Sequence, residues 1–404
     1  MSVSWNYRTA TLLALVAGAL APLSALAGVF NPDVYGTGAT MADYMRTVPG
    51  GGQPGGPAYT FAMGRYEITN AQFAAFLNDA QLDGGATGRG SNMYFLSTGE
   101  VRTSASGPTM YRAYPATGSG ITYNATAPIG QRYSPRIVNG LDFGYHPVNV
   151  VSWYGALKFS NWLTIDRGLG EVQRAYTEGP NAAEWHPVTI SSTDWTTRDM
   201  NAGERQALVS NVKGFRLPME DHSASASAYN EFYKAAAWDS ADGVNHTYAF
   251  GRETLDERDA NGLALNANWP TVRDDPFEEG TLPETTPVGF YDGTNWQQSD
   301  WNWPDDDFPT FQTRANENGY GIFDLNGNVT EWAQDQAELV SNIRILRGGG
   351  WREGGIAFET SYRNGTGPTA NSVDIGFRLV RVPEPAHGAA LVVIALLYVR
   401  RRRP

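Results

Sequence analysis

Cysteine is absent from all 404 residues. The chain therefore has no disulfide and no thiolate to serve as nucleophile or metal ligand, and its stability must come from packing, with metal as the one other available staple. Histidine is scarce: five residues, at 146, 186, 222, 246 and 387, with no pair at the i, i+3 or i, i+4 spacing that sets two ligands on one helix face. Also missing are a Gly-x-Ser-x-Gly elbow, a phosphate loop ending in Lys-Ser/Thr, and His-Glu-x-x-His, which removes the common hydrolase, nucleotide and zinc-protease signatures. The apolar runs at the two ends, Ala10–Leu23 and Ala389–Val399, fall short of the roughly 20 residues a spanning helix needs.

Those ends read as processing signals. Arg8, the first apolar run and Ala25-Leu26-Ala27 have the order of a secretory signal peptide cut after Ala27. The other end runs Val382-Pro-Glu-Pro385, short apolar helix, Arg400 to Arg403. This resembles the PEP-CTERM sorting signal of Gram-negative bacteria. It implies an exosortase-type sorting protease as partner, transient membrane anchoring through the tail, and delivery to the cell surface or extracellular matrix. The alternative is a plain tail anchor held by its basic flank. Removing both ends takes away five Arg and no acid, so the formal net charge moves from −12 to −17. Such an acidic core argues against nucleic acid as a partner. Residues 28–57, closing in Pro49-Gly-Gly-Gly-Gln-Pro-Gly-Gly-Pro57, read as a flexible lead-in.

The most informative segment is Gly319-Tyr-Gly-Ile-Phe-Asp-Leu-Asn-Gly-Asn-Val-Thr-Glu-Trp332. Its Gly and Asn permit tight turns, and Asp324 and Glu331 stand seven apart with Gly327 and Val329 between them. Two carboxylates plus two turn carbonyls form the oxygen set that Ca²⁺ takes. The competing reading is a glycine turn carrying two solvated acids.

Other motifs surround it in order: Gly64-Arg-Tyr-Glu-Ile-Thr-Asn70, His146-Pro-Val148, Phe215-Arg-Leu-Pro-Met-Glu220 with Glu231-Phe-Tyr-Lys-Ala-Ala236, Arg347-Gly-Gly-Gly-Trp351, and Ile375-Gly-Phe-Arg378. Together they resemble the formylglycine-generating, or sulfatase-modifying factor, family over residues 58–381. The resemblance implies an α+β fold, the family's variant of the C-type lectin fold with much irregular structure. It also implies structural Ca²⁺ on Asp324, Gly327, Val329 and Glu331, and a second Ca²⁺ site near Asn268 whose spacing is disturbed here. Family oxidase chemistry depends on two cysteines, because soft thiolates hold Cu(I). Glu353 and Phe358 stand at those positions, Gly350 replaces the usual Ser, and Thr330 the usual Trp. No copper and no formylglycine synthesis are expected. An iron-dependent branch of the superfamily uses three histidines of an added helical domain, which this chain lacks.

Local patterning predicts an amphipathic helix after the capping box Thr69/Gln72, with Phe73, Phe76, Leu77 and Ala80 on its apolar face. A second is expected with Trp153, Ala156, Leu157 and Leu163 packed in the core, and His146 as a packed, hydrogen-bonded ring. Residues 291–314 look like an insertion. Trp296, Trp301, Trp303 and Asp305 there offer either a sugar-stacking face or anchors holding a long loop on the core. The sequence thus describes an exported, surface-sorted, Ca-stabilised protein that binds a glycan or a peptide. Two alternatives stay open: an enzyme acting through a non-cysteine site near Glu353, and a structural matrix protein.

Overall fold

Thr69 opens the first helix as its sequence predicts: Gln72 N donates to Thr69 Oγ1 at 3.3 Å, and Thr69 N to Gln72 Oε1 at 2.9 Å. The helix, Asn70–Asp83, ends at Gly84, whose positive φ of 55° lets its N–H reach the Ala80 carbonyl. The second helix, Trp153–Asp166, is capped by Ser152. It is buried not along a stripe but on every side as far as Thr164. This enclosure takes in Lys158, whose ammonium lies 2.7 Å from Glu178. The helices meet through Phe73, Phe76, Phe159 and Trp162, with ring centroids 5.3–5.7 Å apart in the contacts of Phe76 with Trp162 and Phe73 with Phe159.

The computed structural model describes residues 44–383, apart from 114–117, 224, 257, 262–275, 278–282 and 338–341. The N-terminal signal, the C-terminal signal beyond Pro383, and Asn268 with its neighbours lie outside the described residues. No described helix is long and apolar enough to cross a membrane.

Two sheets position the site. In one, Phe61–Gly64 is flanked antiparallel by Met45–Val48 and Val380–Arg381. The other runs in the order Asn364–Thr366, Arg344–Arg347, Thr330–Gln336, Ile375–Gly376, with only the last pairing parallel. Every residue of Thr330–Gln336 is buried. Mixed helices, short strands and long irregular connections make this an α+β fold.

The lead-in is a correction to the sequence reading. Met45–Val48 is a paired strand, and the Gly/Pro segment after it wraps a buried ammonium. Lys234 Nζ donates to the carbonyls of Gly51 and Pro57, each at 2.8 Å, while Gln53 Nε2 donates to Asn245 Oδ1 at 2.6 Å. Burial pulls the Lys234 amine down to about 8. A carbonyl-lined turn of this kind needs residues tolerant of positive φ, and Gly51 and Gly52 sit at 72° and 79°. The glycines that suggested flexibility are what allow the segment to fold around Lys234.

Candidate functional site

Buried ion pairs join the separated motifs. Arg216 donates to both oxygens of Glu231, at 2.5 and 2.6 Å. Arg347 donates to Glu220 at 2.6 Å and also to the carbonyls of Thr360 and Tyr362. Arg378 grips Glu331 through Nε and Nη2 at 2.6–2.8 Å. Each pair is nearly or fully buried, so losing one partner would strand a charge at a cost of about 3–5 kcal/mol. Charge satisfaction thus locks the 216–220, 231, 331, 347 and 378 segments into one frame.

Inside this frame the 324–331 turn lies against the 348–351 turn: Gly327 N donates to the Gly348 carbonyl at 3.0 Å, and Trp351 N to the Asn328 carbonyl at 2.9 Å. Gly327 has φ 92°, and a methyl group there would stand 2.5 Å from the Asn261 carbonyl, so only glycine fits. Asn328 is clamped by Thr286, accepting from its N–H at 3.1 Å and donating to its carbonyl at 3.3 Å.

The four expected metal-binding positions are all buried, Asp324, Gly327 and Val329 in the turn and Glu331 on the strand Thr330–Gln336 that follows it. Asp324 accepts from Gly289 N at 2.5 Å and Asn316 Nδ2 at 3.0 Å; Glu331 is occupied by Arg378. A third carboxylate belongs to the same neighbourhood. Gly64 N bonds the Leu379 carbonyl and Ile68 N the Phe377 carbonyl, which brings Glu67 opposite Arg378. Both Glu67 oxygens are buried without a hydrogen-bond partner. Burial first, and the neighbouring acids second, push the Glu67 carboxyl well above its usual range; burial raises Asp324 and Glu331 as well. Three acids against one guanidinium leave an excess of buried negative charge, and an orphaned carboxylate beside it.

Three positions that the resemblance singles out, Thr330, Gly350 and Glu353, touch one another. Thr330 Oγ1 donates to Glu353 Oε2 at 3.0 Å, and Gly350 N reaches the same oxygen at 3.3 Å. A methyl group on Gly350 would stand 2.9 Å from Thr330 Oγ1 and 3.0 Å from the Asp374 carbonyl. Gly350, Thr330 and Glu353 thus constrain one another through these hydrogen bonds and close contacts. Glu353 is half-buried, while Phe358, at the second cysteine position, is fully buried at the end of the 3₁₀ turn Gly355–Phe358. Between them Ile356 stands 68 % exposed.

Burial separates the two readings of the insertion residues. Trp296, Trp301 and Trp303 are only 7, 7 and 2 % exposed and Asp305 1 %, so no Trp face is open to a sugar. They surround Phe290, with centroids 6.1–6.3 Å away. Trp296 Nε1 donates to the Phe290 carbonyl and Trp303 Nε1 to that of Phe308. Asp305 accepts from Asp307 N at 2.9 Å. Long loops stay ordered by such apolar anchors, and the strand pair Asn295–Gln297 with Thr310–Gln312 fixes this one.

His146 is the packed ring the sequence predicts: buried, with Nδ1 3.1 Å from Thr285 Oγ1. Sequence spacing missed a different group. Among the described residues, Asp239, Asp242 and His246 form the one trio of acidic or histidine side chains whose ligand atoms lie within 4.8 Å of one another. They sit on a hairpin, where a search for helical spacing has no purchase.

A model of the sulfatase-modifying factor enzyme 1-like domain matches residues 57–383. A curated relative, chaperone protein LppX of Paenibacillus barcinonensis, is 26 % identical over 249 residues, 58 % of this chain and 69 % of that protein. Among solved structures, CarF is 18 % identical at TM-score 0.45, covering 80 % of this chain and 87 % of its own. Treponema denticola variable protein 1 is 19 % identical at TM-score 0.44, covering 84 % and 95 %. The domain match spans most of the sequence and contains every motif assembled above; the chain belongs to the sulfatase-modifying factor enzyme 1-like family.

Proposed function

We propose that this protein is a non-catalytic member of its family, exported and sorted to the surface or extracellular matrix of a Gram-negative bacterium, that binds a peptide segment at the rebuilt site around Glu353. The observation that carries this reading is the linked replacement of Gly350, Thr330 and Glu353. Where the family's chemistry requires thiolates, this chain builds a hydrogen-bonded carboxylate anchor. Its surroundings suit a polypeptide. Arg352 and Ile356 are exposed beside Glu353, offering charge and apolar contact together, and a relative carries the name of a chaperone. The glycan reading loses ground because the Trp residues that supported it are buried. Ca²⁺ held by Asp324 and Glu331 side chains with the Gly327 and Val329 carbonyls is part of the proposal, as a stabiliser of the turn that leads into Thr330. Cleavage of the tail by an exosortase-type protease completes it.

The test is an unbiased peptide and glycan screen on residues 28–385, repeated with Glu353→Ala and Ile356→Asp. Peptide ligands lost in both variants support the proposal. Ligands indifferent to both, or conversion of a sulfatase peptide's cysteine to an aldehyde by the pure protein, overturn it.

A further inference from the structure

A second cluster of ligating groups lies apart from the 324–331 turn. The helix Glu231–Ala237 runs into a tight hairpin, Trp238–Asp239 paired with Val244–Asn245. Its turn is fixed by Gly243 N on the Asp239 carbonyl at 2.9 Å and Ala241 N on Asp239 Oδ1 at 2.7 Å. With Oδ1 engaged, Asp239 presents Oδ2 toward His246 Nε2, 3.9 Å away. That is too long for a hydrogen bond. It is near the separation of about 3.4 Å expected between two ligands that share one tetrahedral ion at ~2.1 Å each. Asp242, exposed at the turn, completes a trio whose ligand atoms all lie within 4.8 Å of one another.

The histidine is oriented from behind. His246 Nδ1 lies 3.0 Å from Glu253 Oε1, and the other Glu253 oxygen is held by Thr247. In the neutral ring a carboxylate on Nδ1 favours the Nδ1–H tautomer, which turns the Nε2 lone pair toward the Asp239 and Asp242 oxygens. An imidazole acceptor set against two carboxylates favours a cation between them, whether a proton or a metal ion. A carboxylate behind a ligating histidine is also the usual support of a metal-bound ring. The backbone is equally constrained: Thr360 Oγ1 donates to the His246 carbonyl, and Thr360 N to that of Thr247. Gly251 faces Nε2 with no side chain, and a methyl group there would come no nearer than 4.0 Å.

We propose that Asp239, Asp242 and His246 form a site for a first-row divalent cation such as Zn²⁺, with Glu253 as the positioning residue. Mixed imidazole and carboxylate ligation favours Zn²⁺, Co²⁺ or Mn²⁺ over Ca²⁺. Three protein ligands on an exposed turn leave at least one coordination position open to water or to an incoming donor group. The Thr360 contacts couple this hairpin to the loop that follows Gly355–Phe358, so an occupied site would stiffen that side of the loop.

Zn²⁺ titration by calorimetry and Co²⁺ titration by visible absorption test this on the full chain, in excess Ca²⁺ so that the Asp324–Glu331 turn contributes nothing. We expect one Zn²⁺ per chain, a Co²⁺ spectrum of low-coordinate type, and affinity reduced at least about tenfold in Asp242→Asn, His246→Ala and Glu253→Gln. Asp242 is exposed, so Asp242→Asn should keep the metal-free melting temperature even if His246→Ala folds poorly. Absence of saturable Zn²⁺ binding, or equal affinity in wild type and Asp242→Asn, overturns the proposal.

Discussion

Acidification should weaken this protein through His146, and replacing that ring should remove the effect. The imidazole is fully buried, with Nδ1 on Thr285 Oγ1 and Nε2 without a partner. Phe143 and Phe277 pack on it at 4.8 and 5.4 Å. Burial drives its pKa down to about 3, with the Thr285 bond opposing only in part. The folded chain therefore keeps this histidine neutral while the unfolded chain protonates near 6.5. The unfolded state binds the extra proton, so stability is lost as pH falls below about 6.5 and continues to fall toward 3. The loss is about 1.4 kcal/mol at pH 5.5 and about 2.7 kcal/mol at pH 4.5 from this group alone. Thr285 precedes Thr286, which clamps Asn328, so protonation strikes at the support of the candidate site. Urea denaturation from pH 7.5 to 4.5 on wild type and His146→Gln measures it. Gln has no charge to gain, and its amide can still bond Thr285. Carboxylates common to both proteins cancel in the difference, which should grow by the amounts above. Parallel profiles for the two proteins would refute the argument.

Removing Ca²⁺ should lower the melting temperature, since a ligand at a hundred times its dissociation constant stabilises by about 2.7 kcal/mol; Asp324→Asn should abolish the chelator's effect, and a melting temperature indifferent to chelator would remove calcium from the account. Trp303→Ala should cost about 3–5 kcal/mol in denaturant titration, as a buried aromatic anchor does, while leaving peptide binding at Glu353 intact; a cost below about 1 kcal/mol would return the ring to a surface role. Replacing Pro383-Glu384-Pro385 by Ala should leave membrane-bound precursor in the native host, seen as protein retaining Arg400 to Arg403 by mass spectrometry, and wild-type protein that keeps that cluster would point to a plain tail anchor.

Local physics was legible in the chain itself. The Thr69/Gln72 capping box and the Phe73, Phe76, Leu77, Ala80 spacing determine a helix because both act within one or two turns. The absence of cysteine is read from the sequence whatever the fold. The positive-φ turn at Gly327 and Asn328 follows from residue types that tolerate it.

What the tertiary structure decided concerns partners distant in sequence. Trp301 and Trp303 suit a sugar face or a core anchor equally well, until Phe290 and the strand pair around them bury the rings. Pro49 to Pro57 reads as a free lead-in because its organising charge, Lys234, lies some 180 residues away. Glu67 and Arg378 are brought opposite each other by strand pairing across the whole domain, and Asp239, Asp242 and His246 by the curl of a hairpin. Sequence sets which groups are present and their short-range geometry. Burial and long-range pairing, which no local pattern encodes, set whether each group is an anchor, a charge to be compensated or a ligand.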